Sequence, residues 1–231
     1  EGDIFIDCTG YKRIFSSKSD WVSFKDNLPM NSVTTFTRKH QESMVTKADK
    51  LKIGWCWQIP TQERLGCGYV SCDEWGDDVV DEIKSNYSDA EIVKSFKFES
   101  GKLKKSWNHN VISLGLAYHF LEPLQATNIH LTLVQIEMLC QKCIRDTKDR
   151  TLNSNVILYY NKHIDNLIED FKNFINIHYS CDSRVKMTDY NNEIIDLLKV
   201  RGLFHEDILQ GYGSCGIQLW GHTLLLSLIH I

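Results

Sequence analysis

Past Pro123 the apolar residues of this chain change their spacing, and that change limits the fold more than any other feature. Val156, Tyr159, Tyr160, His163, Ile164, Leu167, Ile168, Phe171, Phe174, Ile175 and His178 recur every three or four positions, as on one face of a long helix. Ser154 or Asn155 is placed to cap it. A shorter helix carries Ile129, Leu133, Ile136, Cys140 and Cys143 on one stripe, and a third is expected from about Asn191 to Val200. Before Pro123 the apolar runs are short and β-branched or aromatic: Val33 to Phe36, Leu51 to Pro60, Leu65 to Cys72, Val93 to Phe98 and Leu103 to Leu116. Gly, Asn, Asp or Ser clusters separate them, which predicts a mostly antiparallel sheet. Between two strands "DEWGDDVVDEIKSNY" puts Trp75, Val79, Val80, Ile83 and Tyr87 on a helical face that covers one side of that sheet.

Composition narrows the function classes. A chain of 231 residues, 42% of them apolar, has enough to bury a substantial core. The formal charge of −4 supplies no field for nucleic acid or anionic lipid, and the run Lys102, Lys104, Lys105 is too short to reverse that. No stretch approaches the roughly 18 apolar residues of a membrane helix, so no membrane partner is expected. Eight cysteines in a chain of this size read as reduced thiols, hence a cytoplasmic location. Cys140 and Cys143 have zinc-like spacing, but with no second pair nearby they read as core, and no metal site is expected. His163 and His178 read as core histidines, and His130 as a polar residue at a helix start, with contact to a substrate as its alternative; His119, beside Phe120, reads similarly, with the lining of a cofactor pocket as its alternative. The opening "EGDIFIDCTGY" starts directly on a buried-strand pattern and "HTLLLSLIHI" stops inside an apolar run, so the chain reads as a fragment.

One hairpin stands apart. In "GWCWQIPTQERLGCGYV" strand geometry sends Trp55, Trp57 and Ile59 to one face and Cys56 and Gln58 to the other. Pro60 ends the strand, "TQER" turns it, and Gly66 and Gly68 in the return strand let something bulky lie against the backbone. On composition alone a core-facing aromatic pair accounts for the two indoles.

Trp55-Cys-Trp57-Gln-Ile59-Pro60 also has the form W-x-W-x-I-P and resembles the signature of the flavin-dependent tryptophan halogenases. In the same order, "DIFIDCTGY" (3–11), "RLGCGYVSC" (64–72), "GKLKKSWNHNVISLGLAYHFLEPLQATNIHL" (101–131) and "FINIHYS" (174–180) are similar to further segments of that family. The resemblance runs from about residue 3 to 180; Trp220 and the rest of the tail lie outside it. It implies an α/β fold of the FAD/NAD(P)-binding flavoprotein monooxygenase-like kind, with an antiparallel substrate-side sheet followed by a helical region. Residues 1–20 and 101–130 would be the remaining parts of the FAD-binding domain, 21–100 the sheet and 131–231 the helical region.

The resemblance further implies FAD as FADH2, with O2 and chloride or bromide, a separate flavin reductase, and a small aromatic substrate such as tryptophan or another indole. A flavin hydroperoxide would oxidise the halide, and hypohalous acid would pass down a tunnel walled by Trp55, Trp57, Ile59 and Pro60. The family pattern F-x-E-P-L-E-S-T-G-I stands here as Phe120-Leu-Glu122-Pro123-Leu124-Gln125-Ala126-Thr127-Asn128-Ile129. Gln125 therefore occupies the position of the family's catalytic Glu, and an amide neither carries the charge nor takes the proton. Backbone N–H groups of Thr127 and Asn128 would hold the halide ahead of a helix. Leu116 and Ile129 match flavin-contacting positions, and Gly115 permits close approach. No strand–GxGxxG–helix element is present, and the family's lysine lies upstream of the matched part, so no lysine of this chain takes that role. A non-halogenating flavin monooxygenase, or an inactive relative on the same scaffold, is the alternative that Gln125 and Ala126 favour.

Overall fold

A computed structural model of the chain describes residues 4–16, 20–39, 45–144, 154–180 and 182–200. The strands are β1 (Phe5–Asp7), β2 (Trp21–Ser23), β3 (Ser32–Lys39), β4 (Lys47–Leu51), β5 (Gly54–Pro60), β6 (Arg64–Ser71), β7 (Glu91–Lys97), β8 (Gly101–Leu103), β9 (Trp107–Asn108), β10 (Val111–Ser113) and β11 (His119–Phe120). The α-helices are α1 (Val79–Asn86), α2 (Thr127–Met138), α3 (Ser154–His178) and α4 (Asp189–Val200). They divide between a sheet unit, Pro29–Glu99, and a helical unit, Glu1–Leu28 with Ser100–Leu197.

The sheet unit is a five-stranded antiparallel sheet in the order β4-β5-β6-β3-β7. The expected strand from Leu51 to Pro60 is β5 over Gly54–Pro60, while Leu51 ends β4, because Lys52 and Ile53 turn between the two. The apolar run continues across the turn because Ile53 points inward, its N–H donating to the Tyr69 hydroxyl at 3.1 Å. On one face Phe36, Cys56, Leu65, Cys67 and Tyr69 pack with Ile53 and with Ile83 of α1. Ile83 and Tyr87 join this core as the helical pattern predicts, while Val80 is exposed. "TQER" is the hairpin turn, closed by the Thr61 N–H and hydroxyl, both donating to Arg64 O at 2.9 and 2.7 Å.

The helical unit carries two three-stranded sheets, β1-β10-β9 and β11-β8-β2. β1 runs parallel to β10, whereas the other strand pairs among the described residues are antiparallel. The run Leu103 to Leu116 is not one strand. His109 and Gly115 adopt φ of +54° and +56°, conformations that break extended backbone and that hydropathy does not encode. α3 buries Tyr160, Ile164, Ile168, Phe171, Phe174 and Ile175 as expected. Tyr159 and His163, assigned to the same stripe, are exposed and stack on each other. α2 is rotated from its expected face. Leu131, Gln135 and Met138 are buried, whereas Ile129 and Leu133 are 67% and 61% exposed, and Ile136 and Cys140 are exposed too. The cause is polar: Gln135 sits inward because its amide accepts from Gly115 N–H at 3.0 Å and donates to Ser106 Oγ at 3.2 Å. α4 begins at Asp189, close to its predicted start.

Candidate functional site

In the sheet unit β5 places Trp55 and Trp57 side by side, ring centroids 6.0 Å apart and planes at 55°. Trp57 is seated directly on the return strand. Its register partner is Gly68, and a Cβ there would stand 2.0 Å from Trp57 Cζ2. Gly66 has no such role, since its Cβ would meet nothing closer than Ile59 O at 3.7 Å. Ile59 is exposed and Pro60 is the last residue of β5.

The opposite side of β5 is buried and held by polar contacts that sequence reasoning missed. Gln58 donates to Asp49 and accepts from Arg38 Nη1 at 2.8 Å. Arg38 also pairs with Asp89 at 2.8 Å and lies over the Tyr87 ring, while the Tyr87 hydroxyl donates to Asp49 at 2.8 Å. Burial pushes the Cys56 thiol up to about 12 and Cys67 to about 11, so neither is a nucleophile at neutral pH.

In the helical unit three of the segments that carry the resemblance, 3–11, 101–131 and 174–180, meet. Asp7, buried at the end of β1, accepts from the Thr9 N–H at 2.9 Å, the Thr9 hydroxyl at 2.6 Å and the Phe15 N–H at 3.1 Å. Burial by itself would raise its pKa, but these donors together hold the carboxyl below its ordinary range. The Asp7 carbonyl accepts from Leu114 N–H, and Tyr11 packs edge-on against Phe120.

After β11 the chain passes Leu121, Glu122 and Pro123 into a 3-10 turn, Leu124–Ala126, and then into α2. Gln125 stands in that turn, and its side chain lies outside what the structure describes. Ala126 has φ +53°, and the Thr127 N–H donates to Leu124 O. Asn128 bonds twice to one residue: its Oδ1 accepts from Leu121 N–H and its Nδ2 donates to Leu121 O, each at 2.7 Å. Glu122 is fully buried and accepts from the Tyr179 hydroxyl at the end of α3. Gly115 turns its bare side to Thr132 of α2, whose Oγ1 would lie 3.1 Å from a Cβ. The approach that glycine permits is therefore the helix's. Leu116, on the adjacent 3-10 turn, and Ile129, on α2, leave their side chains exposed. His119 is fully buried with neither ring nitrogen hydrogen-bonded, and burial holds its pKa at about 4. Trp220 and Cys215 lie outside the described residues.

The tryptophan halogenase family model matches residues 1–193. Tryptophan 6-halogenase ThaL of Streptomyces albogriseolus is 26% identical over 200 residues, covering 80% of this chain and 36% of its own length. Tryptophan 7-halogenase RebH of Lentzea aerocolonigenes is 25% identical with the same coverage of both chains. The chain thus spans about a third of the curated relatives it matches. Among solved structures, Xcc4156, a flavin-dependent halogenase from Xanthomonas campestris, superposes with a TM-score of 0.74 at 25% identity, covering 86% of this chain and 43% of that one.

Proposed function

The chain belongs to the tryptophan halogenase family, and from that premise we propose that it supplies the indole wall and the halide-site loop of an FADH2-dependent halogenase acting on tryptophan or a similar electron-rich aromatic. The observation that carries this reading is the seat of Trp57 on Gly68, with Trp55 beside it. Paired indoles fixed in this way exclude bulk water and offer no nucleophile, as a surface bordering an oxidant requires.

Reduced flavin, when bound, would supply the electrons that activate O2, the oxidant. Exposed Leu116 and Ile129 fit the apolar ring of such a group and would lie against it; Gly115 keeps their two elements close. The pyrophosphate would need a glycine-rich turn of a kind these 231 residues do not contain. Chloride or bromide would bind at the amino end of α2, where first-turn N–H groups and the helix dipole favour an anion. At Thr127 it must compete with Leu124 O for the N–H. Gln125 can donate or accept a hydrogen bond but cannot transfer a proton at neutral pH.

The test uses a chain completed with a glycine-rich flavin-binding segment and the family's lysine, supplies FAD, a flavin reductase, O2, tryptophan and bromide, and follows halogenated product and leaked peroxide. Trp57→Ala is expected to lower product and raise leakage; identical values for variant and wild type would remove the wall role. A second reading, a non-halogenating flavoprotein, is favoured by Gln125 and Ala126. In the completed chain Gln125→Glu separates the two: product that appears or rises supports a compromised halogenase, and none from either protein despite bound flavin leaves the second reading.

A further inference from the structure

The family pattern has glycine where this chain has Asn128, and the structure gives that asparagine a specific task. Its side-chain amide pairs with both backbone groups of Leu121, as a neighbouring strand would. It thereby closes the eight-residue segment Leu121–Asn128 into a ring of backbone and one side chain. A second tie sits just inside the first, where the buried Glu122 carboxyl accepts from Tyr179, a residue of the "FINIHYS" segment. Between the ties lie the Leu124–Ala126 turn, Ala126 in the left-handed region, and Thr127 bonded back to Leu124. A left-handed alanine is not a conformation a free loop holds, so something must over-determine it.

The geometry points to Asn128 and Tyr179 as positioning residues that fix the Leu121–Asn128 backbone and, with it, the direction of the N–H groups opening α2. The consequence for halide rests on the proposed halogenase function; the clasp itself does not. Asn128 does more here than begin a helix. Alanine has higher helix propensity, and aspartate near a helix amino end is favoured by the dipole. Either replacement should therefore keep or strengthen α2 while loosening the clasp: alanine removes both bonds, and aspartate keeps an acceptor for Leu121 N–H but turns the donor to Leu121 O into a repelling oxygen.

The experiment measures amide exchange of Leu121–Asn128 in the 231-residue chain, together with 35Cl line broadening on chloride titration, for wild type, Asn128→Ala, Asn128→Asp and Tyr179→Phe. Exchange at Leu121 is expected to rise about tenfold or more in Asn128→Ala, and less in Asn128→Asp, which keeps an acceptor for that N–H; Leu131–Met138 should stay unchanged and chloride broadening weaken in both. Tyr179→Phe, which leaves Asn128 in place, is expected to loosen Glu122–Ala126. Unchanged exchange at Leu121 in Asn128→Ala overturns the proposal. So does faster exchange with undiminished chloride broadening, because the clasp would then hold the loop without aiming its donors. Faster exchange in a chain whose wild type never broadens chloride leaves the clasp standing and refutes the halide site instead.

Discussion

Gly68→Ala is the substitution whose outcome the geometry states most sharply. The added Cβ would lie 2.0, 2.2 and 2.5 Å from Cζ2, Cη2 and Cε2 of Trp57, against about 3.5–4.0 Å for a normal carbon contact. The indole must retreat by roughly 1.5 Å on that contact distance, and Trp55, 6.0 Å away, is next to it. Overpacking of this kind costs about 1–3 kcal/mol, and alanine in a strand returns about 0.5–1 kcal/mol relative to glycine. The net expectation is a loss of about 1–2 kcal/mol. Gly66→Ala makes only an ordinary contact, with Ile59 O at 3.7 Å, and has no left-handed φ, so it is expected to be neutral or slightly stabilising. Urea midpoints followed by tryptophan fluorescence measure both, and repeating Gly68→Ala in a Trp57→Ala background isolates the coupling. If the two alanines shift the midpoint equally, or Gly68→Ala costs as much without the indole as with it, the seat of Trp57 on Gly68 is wrong.

Two further outcomes follow from buried polar groups. His119 has a folded pKa of about 4 against an ordinary 6.5, so the unfolded chain takes up a proton first; its contribution is full above 6.5 and is lost as the pH falls towards 4. His119→Phe is expected to flatten the pH dependence of the urea midpoint across that window, and an unchanged slope would count against the burial. Asn161 accepts from Trp107 N–H at 2.9 Å and donates to Trp107 O at 2.8 Å. Asn161→Leu leaves both groups buried without it and should cost about 2–4 kcal/mol in thermal or urea unfolding; a cost below about 1 kcal/mol would mean those groups find other partners.

α3 was legible because a 3.6-residue repeat sustained from Tyr160 to Ile175 fits neither a strand nor a loop, and the β5–β6 hairpin because proline, turn residues and glycines fall in order. The face of α2 was not legible. Ile129, Leu133 and Ile136 make as good a stripe as Leu131 and Met138, and the choice was made by Gln135, a residue that hydropathy assigns to solvent. The breaks at His109 and Gly115 were hidden for the same reason: dihedral angles, not side-chain polarity, end those strands. At the candidate site, the indole pair and its glycine could be read from alternation, whereas the Asn128 clasp and the Glu122–Tyr179 bond join residues whose partners only the fold brings near.

Asparagine recurs as the fastener of the helical unit. Asn128 and Asn161 clip single residues, and Asn176 donates to Asn27 O and Lys186 O while accepting from Thr188 N–H. Each of these amides is also a slow chemical clock, because deamidation replaces an NH2 that faces a carbonyl oxygen with a negatively charged oxygen. In the folded chain the bonded amides and the bulky residues that follow them, Ile129, Lys162 and Ile177, hold that clock back. In the unfolded chain only the neighbours do. A preparation's history of opening is therefore written into the acidic residues it has accumulated at three positions, and every such event removes a fastener that the next refolding would need.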